Sequence, residues 1–264
     1  LIERIRAAGS FFVKDIKKGK RNRRPPLPFT TSTLQQEASK RLGFSPQKTM
    51  QIAQQLYEGV DVGGGTVGLI TYLRTDSTRI AEEAHEAAVK MIAQQYGQEY
   101  VGQVKAAPAG QRIQDAHEAI RPTYMQYTPV KVQESLSRDQ MRLYKLIYER
   151  FVASRMAAAV YDTLQIILEK DGFEFTSTGS KLVFAGFLQV YKEQEEEQEK
   201  FETIEGLETG DEVQLKSVEP QQHFTQPPPR YTEAALVKAL EDNGVGRPST
   251  YAPTIATLIA RTYL

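Results

Sequence analysis

Leu69-Ile70-Thr71-Tyr72-Leu73-Arg74-Thr75-Asp76-Ser77-Thr78-Arg79-Ile80 joins a short apolar, β-branched run directly to a dense polar cluster. Read as an extended segment, Leu69 to Leu73 alternates, so Tyr72 and Arg74 face one side and Leu73 the other. A phenol and a guanidinium then share the same space. That pair suits phosphoryl transfer, because the guanidinium fork matches two oxygens of a phosphodiester and a phenolic oxygen is a competent nucleophile once its proton has left. A free phenol titrates near pH ~10, so about 4 kcal/mol separates it from the phenolate at neutral pH, to be supplied by neighbouring cations or a proton acceptor. Asp76 to Thr78 resembles a helix start, where Asp or Ser caps and free N–H groups favour an anion. The competing reading is a buried tyrosine whose hydroxyl is satisfied by Arg74 or Asp76.

Two further clusters carry chemistry. In Gln114-Asp115-Ala116-His117-Glu118-Ala119-Ile120-Arg121-Pro122-Thr123, charged groups crowd His117. A lone histidine is more often a structural residue, but this setting suits phosphate contact or proton exchange. In Arg247-Pro248-Ser249-Thr250-Tyr251-Ala252, a helix N-terminus with two hydroxyls and Arg247 forms either a phosphate-holding corner or a turn with a capping hydroxyl.

The chain of 264 residues is long enough for one large or two to three small domains. Apolar residues make up 40% and charged ones 25%, a globular composition without a run of 18 or more apolar residues to span a membrane. No secretory signal is visible at the N-terminus, and with no cysteine there are no disulfides or thiolate zinc ribbons, so a cytoplasmic address is expected. The 33 basic residues balance 33 acidic ones, which argues against a bulk electrostatic nucleic-acid binder and asks for local patches. The chain starts at Leu1 rather than Met and stops just after an apolar-periodic stretch, so it reads as a piece of something longer.

Periodicity places a helix end at Leu1 to Ala8 and a strand at Phe11 to Ile16. Lys17 to Arg24, closed by prolines, reads as a solvated linker or a phosphate-contacting arm. Helices are predicted from Ser32 or Thr33 to Gly43, from Ser45-Pro46 with Met50, Ala53, Leu56 and Tyr57 inward, over Ile80 to Tyr96, and over Ser137 to Arg155. His85, among glutamates, is expected to be a surface ion-pair partner. Gly59 to Gly68 reads as a hairpin-like connector, because no Lys-Ser/Thr follows its glycines to make a nucleotide loop. Gly97 to Arg112 is expected to be a mobile loop. From Tyr161 the period becomes two. Strands are predicted over Thr163 to Glu169, Phe173 to Thr178, Lys181 to Val190 and Glu212 to Val218, with turns at Gly172, Gly179 and Gly210 and a solvated acidic loop at Lys192 to Lys200. After Pro227 to Pro229, a helix capped by Thr232 and Glu233 ends at Asn243-Gly244.

The segment Gly68 to Thr78, Asp115-Ala116-His117-Glu118-Ala119-Ile120-Arg121-Pro122 and the stretch from Pro228-Pro229-Arg230 to Ala252 together resemble bacterial DNA topoisomerase I, of the type IA family. The likeness runs from about Phe29 to Leu264, its three motifs in the family's order. It implies an α+β multidomain fragment of the type IA toroid. A mostly helical, helix-turn-helix or CAP-like domain (31–159) would carry the nucleophile and be inserted in a β-rich arch (1–30 and 160–222), with 223–264 the helical part of a further DNA-binding domain. The N-terminal Toprim-like domain and the C-terminal zinc-ribbon region would both be absent.

By the same resemblance Tyr72 is the nucleophile, Arg74 stabilises the scissile phosphate and His117 supports it. Arg74, His117, Arg121, Arg247, Ser249, Thr250 and Arg261 would contact DNA. The implied reaction is transient cleavage of single-stranded DNA through a 5′-phosphotyrosine, with strand passage and religation relaxing negatively supercoiled duplex DNA. It needs no ATP, because exchange of one phosphodiester for another is nearly isoenergetic. Mg²⁺ would be held by carboxylates of the missing N-terminal domain; no Asp-x-Asp pair here replaces them, so no metal site is expected and the fragment alone should not relax DNA. A monomer at the bacterial nucleoid, without a membrane, is implied. The rivals are a recombinase-like tyrosine transesterase, in which the tyrosine normally follows the arginines and histidine, and a non-catalytic single-strand-binding module in which Tyr72 stacks on a base.

Overall fold

The computed structural model describes residues 2–7, 9–103, 117–192 and 198–263. In chain order the elements are α1 (Ile2–Ala7), β1 (Ser10–Arg23), α2 (Thr31–Leu42), α3 (Pro46–Glu58), β2 (Val60–Asp61), β3 (Thr66–Val67), α4 (Glu82–Gln95), α5 (Pro129–Val132), α6 (Arg138–Ala153), β4 (Ala159–Lys170), β5 (Phe173–Phe184), α7 (Gln198–Ile204), β6 (Glu212–Gln214), α8 (Glu233–Asp242) and α9 (Tyr251–Ala260). They form two compact units, Leu1–Arg24 with Ala158–Pro228, and Pro25–Ala157 with Pro229–Leu264. This is the expected α+β class. Among the described residues no helix is long and apolar enough to cross a membrane.

The first unit is built on an antiparallel sheet of order β5-β4-β1-β6. One face buries Val13, Leu164 and Ile166 under Phe201 and Ile204 of α7. The basic run 17–23 is neither linker nor free arm. It continues β1 and pairs residue by residue with Gln165 to Ala159 of β4, so its backbone groups are satisfied while its charged side chains stay largely exposed. Gly179 does not make a turn; it pairs with Leu164 inside a continuous β5, and the strand ends at Phe184 rather than Val190, before a 3₁₀ turn over Gly186–Gln189. β6 is only three residues long. Helix α7 occupies the end of the predicted acidic loop, of which 193–197 lies outside the described residues.

The second unit is helical around a small hairpin. Thr30 caps α2 in a capping box with Thr33, one to two residues ahead of the predicted start, and Gly43 closes it in the left-handed region. Ser45-Pro46 opens α3 and Ser137 with Gln140 opens α6 as the spacing predicts. β2 and β3 form the hairpin expected between Gly59 and Gly68. Helix α4 begins at Glu82, so Asp76 and Ser77 cap no helix; Thr75 and Ser77 instead accept the N–H groups two residues on, in consecutive hydroxyl turns. Residues 98–100 form a 3₁₀ turn where a mobile loop was expected, and 104–112 of that stretch lie outside the described residues. His85 makes no ion pair among the described residues, contrary to the surface partner expected: its Nδ1 is buried without a hydrogen-bond partner there.

Candidate active site

Leu69 and Ile70 are both buried, and from Tyr72 to Asp76 burial alternates. Leu73 and Thr75 are buried, whereas Tyr72, Arg74 and Asp76 are exposed, Tyr72 to 37%. The segment is held along both edges. On one side Thr71 N–H donates to Arg121 O (2.9 Å), Thr123 N–H to Leu69 O (3.0 Å), and the Thr71 hydroxyl donates to Ala119 O (2.7 Å) while accepting Arg121 N–H (3.0 Å). On the other, Thr31 at the start of α2 bonds the backbone of Leu73 and Thr75. Its apolar half is thus locked into the unit, and its polar half is presented outward.

Tyr72 sits between two rings. The His117 imidazole lies 5.1 Å from it, centroid to centroid, at 30°, and the Tyr57 ring lies edge-on at 5.6 Å and 69°. Tyr57 was expected inward because four residues separate it from Ala53. The last turn of α3 instead leaves it 39% exposed over the Tyr72 ring. Gly68 permits this approach, since a Cβ there would stand 2.7 Å from the Tyr57 carbonyl oxygen. A glycine just ahead of the tyrosine segment was the only sequence signal of that contact.

Exposure distinguishes Tyr72 from Tyr144 and Tyr148 of the same unit. Tyr144 and Tyr148 spend their hydroxyls on the carbonyls of Tyr127 (2.5 Å) and Met125 (3.0 Å). Burial pushes the Tyr148 phenol up to about 12 and that of Tyr144 higher still. Neither is an accessible nucleophile.

Arg121 does not face this space as a phosphate ligand would. It is 9% exposed; its Nε donates to Glu118 Oε2 (2.8 Å) and an Nη to the carbonyl of Pro122 (2.9 Å). Burial works against the charge of Glu118. The hydrogen bonds from Arg121 and Ala81 N–H and the charges of Arg121 and Arg79 outweigh it, and hold the carboxyl below its ordinary value. The pair braces the backbone that carries His117. Asp115 lies outside the described residues.

Helices α8 and α9 pack on α2 and α3, with Ser32 Oγ donating to Glu241 Oε1 at 2.6 Å. At the corner that starts α9, burial raises the Tyr251 phenol; Glu241 and Asp76 add to the shift and Arg247 opposes it. Arg247, Ser249 and Thr250 are exposed at that corner. The Thr250 hydroxyl accepts Arg247 N–H (2.8 Å) and closes the turn. Arg261 is exposed at the other end of α9, about 15 Å along the helix. Among the described residues no three His, Cys, Asp or Glu side chains gather to hold a metal ion.

The whole chain, residues 1–264, matches the family model described as DNA topoisomerase. Full-length topoisomerase I from Thermotoga maritima is similar in sequence and fold, at 42% identity and a TM-score of 0.85 over 99% of this chain and 42% of that one. The chain thus spans less than half the length of that relative. With a family model covering every residue, the fold shared with T. maritima topoisomerase I and an exposed tyrosine flanked by histidine and arginine, this chain belongs to the bacterial type IA DNA topoisomerase family.

Proposed function

We propose that this chain is the central part of an enzyme that relaxes negatively supercoiled DNA by attacking one strand with Tyr72. The observation that carries the reading is the exposed Tyr72 phenol, held against the His117 ring with Arg74 on the same outward side of the segment. Tyr72 Oη forms a bond to phosphorus as the bond from phosphorus to the 3′ oxygen breaks, leaving a 5′-phosphotyrosine and a free 3′-hydroxyl. The phenolic proton leaves, the departing oxygen takes one up, and religation is the same exchange reversed. Nucleotide hydrolysis is not needed, because one phosphodiester replaces another.

Arg74 neutralises the charge that builds on the phosphoryl oxygens, and His117 contacts the same phosphate. Arg247, Ser249, Thr250 and Arg261 lie on the path of the single strand leading to it. Arg121 contributes by bracing His117 rather than by touching DNA. Residues 31–159 act as the tyrosine-bearing domain, 1–30 with 160–222 as the arch, and 223–264 as part of a DNA-binding domain. The protein works as a monomer at the nucleoid, its Mg²⁺ held by carboxylates outside this chain.

Relaxation of a negatively supercoiled plasmid by the full-length protein tests the reading. Tyr72→Phe should abolish relaxation while retaining binding to a single-stranded oligonucleotide. Relaxation undiminished in that variant would rule the assignment out.

A further inference from the structure

Resting on Tyr72 as nucleophile, we infer that the buried hydroxyl of Thr31 is a positioning group for the reaction, setting the direction in which Arg74 leaves the backbone. Thr31 is fully buried at the first helical position of α2. Its Oγ1 donates to Leu73 O at 2.7 Å and accepts Thr75 N–H at 2.9 Å. Those are the backbone groups immediately before and after Arg74, so one hydroxyl spans the residue and pins the peptide planes on either side of it. The main chain completes the clamp, because Thr31 N–H, one of the helix-start donors without an intrahelical acceptor, donates to Thr75 O at 2.9 Å.

The consequence is specific. Among the described residues no strand ladder holds the chain across Leu73 to Thr75, the bridge of this stretch being Ile70 with Pro122. Tyr72 is already fixed from the other edge through Thr71. Without the Thr31 hydroxyl, the buried Leu73 carbonyl and Thr75 N–H lose their shared partner, and the planes flanking Arg74 are free to turn while Tyr72 stays in place. A guanidinium displaced by about 1 Å from a phosphoryl group is a rate defect more than a binding defect.

The test uses the full-length protein and a labelled single-stranded oligonucleotide. Single-turnover formation of the denaturant-trapped covalent adduct gives the rate, fluorescence anisotropy gives the affinity, and thermal unfolding monitors the fold. Thr31→Val keeps the shape and removes every hydrogen bond of the hydroxyl, the longer one to Thr75 O (3.1 Å) included; Thr31→Ser keeps them. Cleavage by Thr31→Val is expected to slow by about 10–100-fold, with oligonucleotide affinity unchanged and with the Thr31→Ser rate close to that of the unaltered protein. Should Thr31→Val not fold, Thr31→Cys, with a poor donor of similar size, is expected to show the same split. Unimpaired cleavage by the variant that folds, equal losses in Thr31→Ser, or a loss that follows weakened binding would each overturn the inference. Covalent adduct from Tyr72→Phe in the same assay would instead overturn the assignment of the nucleophile.

Discussion

Arg74 and Arg121 stand on adjoining segments, yet one is exposed and the other buried against Glu118. Their substitutions should therefore separate cleanly. Arg74→Ala is expected to slow adduct formation by about 10²–10³-fold, the scale of a lost transition-state donor, with little change in melting temperature. Arg121→Ala should instead destabilise the protein by about 2–3 kcal/mol, because a charged, largely buried hydrogen-bonded group loses its partner, and denaturant unfolding reads this directly. The brace also carries a pH signature. Since the folded carboxyl of Glu118 is held below its ordinary value, its stabilisation is complete above the unfolded value near ~4.3 and is lost as pH falls through the folded one. The stability difference between the unaltered protein and Glu118→Gln should accordingly shrink on acidification below about pH 4. The outward pairing of Tyr72 with Arg74 was legible in advance because period-two alternation needs only local sequence. The burial of Arg121 was not, since a phosphate ligand and a structural brace present the same residues in the chain and differ only in what surrounds them.

Helix starts were the most legible elements, because a capping hydroxyl acts within three residues of itself. Thr30, Ser45, Ser137 and Thr232 each accept an N–H of their own first turn. Thr30→Ala should cost about 1 kcal/mol of stability, measurable as a lower melting temperature. The long strand β1 was illegible past Ile16, because seven mostly charged residues carry no apolar alternation and become strand only through pairing with β4. Tyr57 was misplaced for a similar reason: its exposure depends on where α3 ends relative to Gly68, a tertiary fact. Gly68→Ala would drive a methyl group into the Tyr57 carbonyl. That change should destabilise by about 1–3 kcal/mol and slow adduct formation, because α3 and the Tyr72 segment must move apart.

For the whole molecule, this chain spans 42% of T. maritima topoisomerase I, and its described residues gather no metal-binding cluster. The isolated 264 residues are therefore expected not to relax supercoiled plasmid in the presence of Mg²⁺, although they carry the tyrosine. The central claim concerns one covalent bond. Trapping the protein–DNA adduct of the full-length enzyme with denaturant and mapping the modified residue by mass spectrometry, with the DNA end identified by labelling, measures it directly. The account predicts a 5′-phosphate joined to Tyr72 Oη and a free 3′-hydroxyl; a 3′-linked adduct, or attachment at another tyrosine, would contradict it.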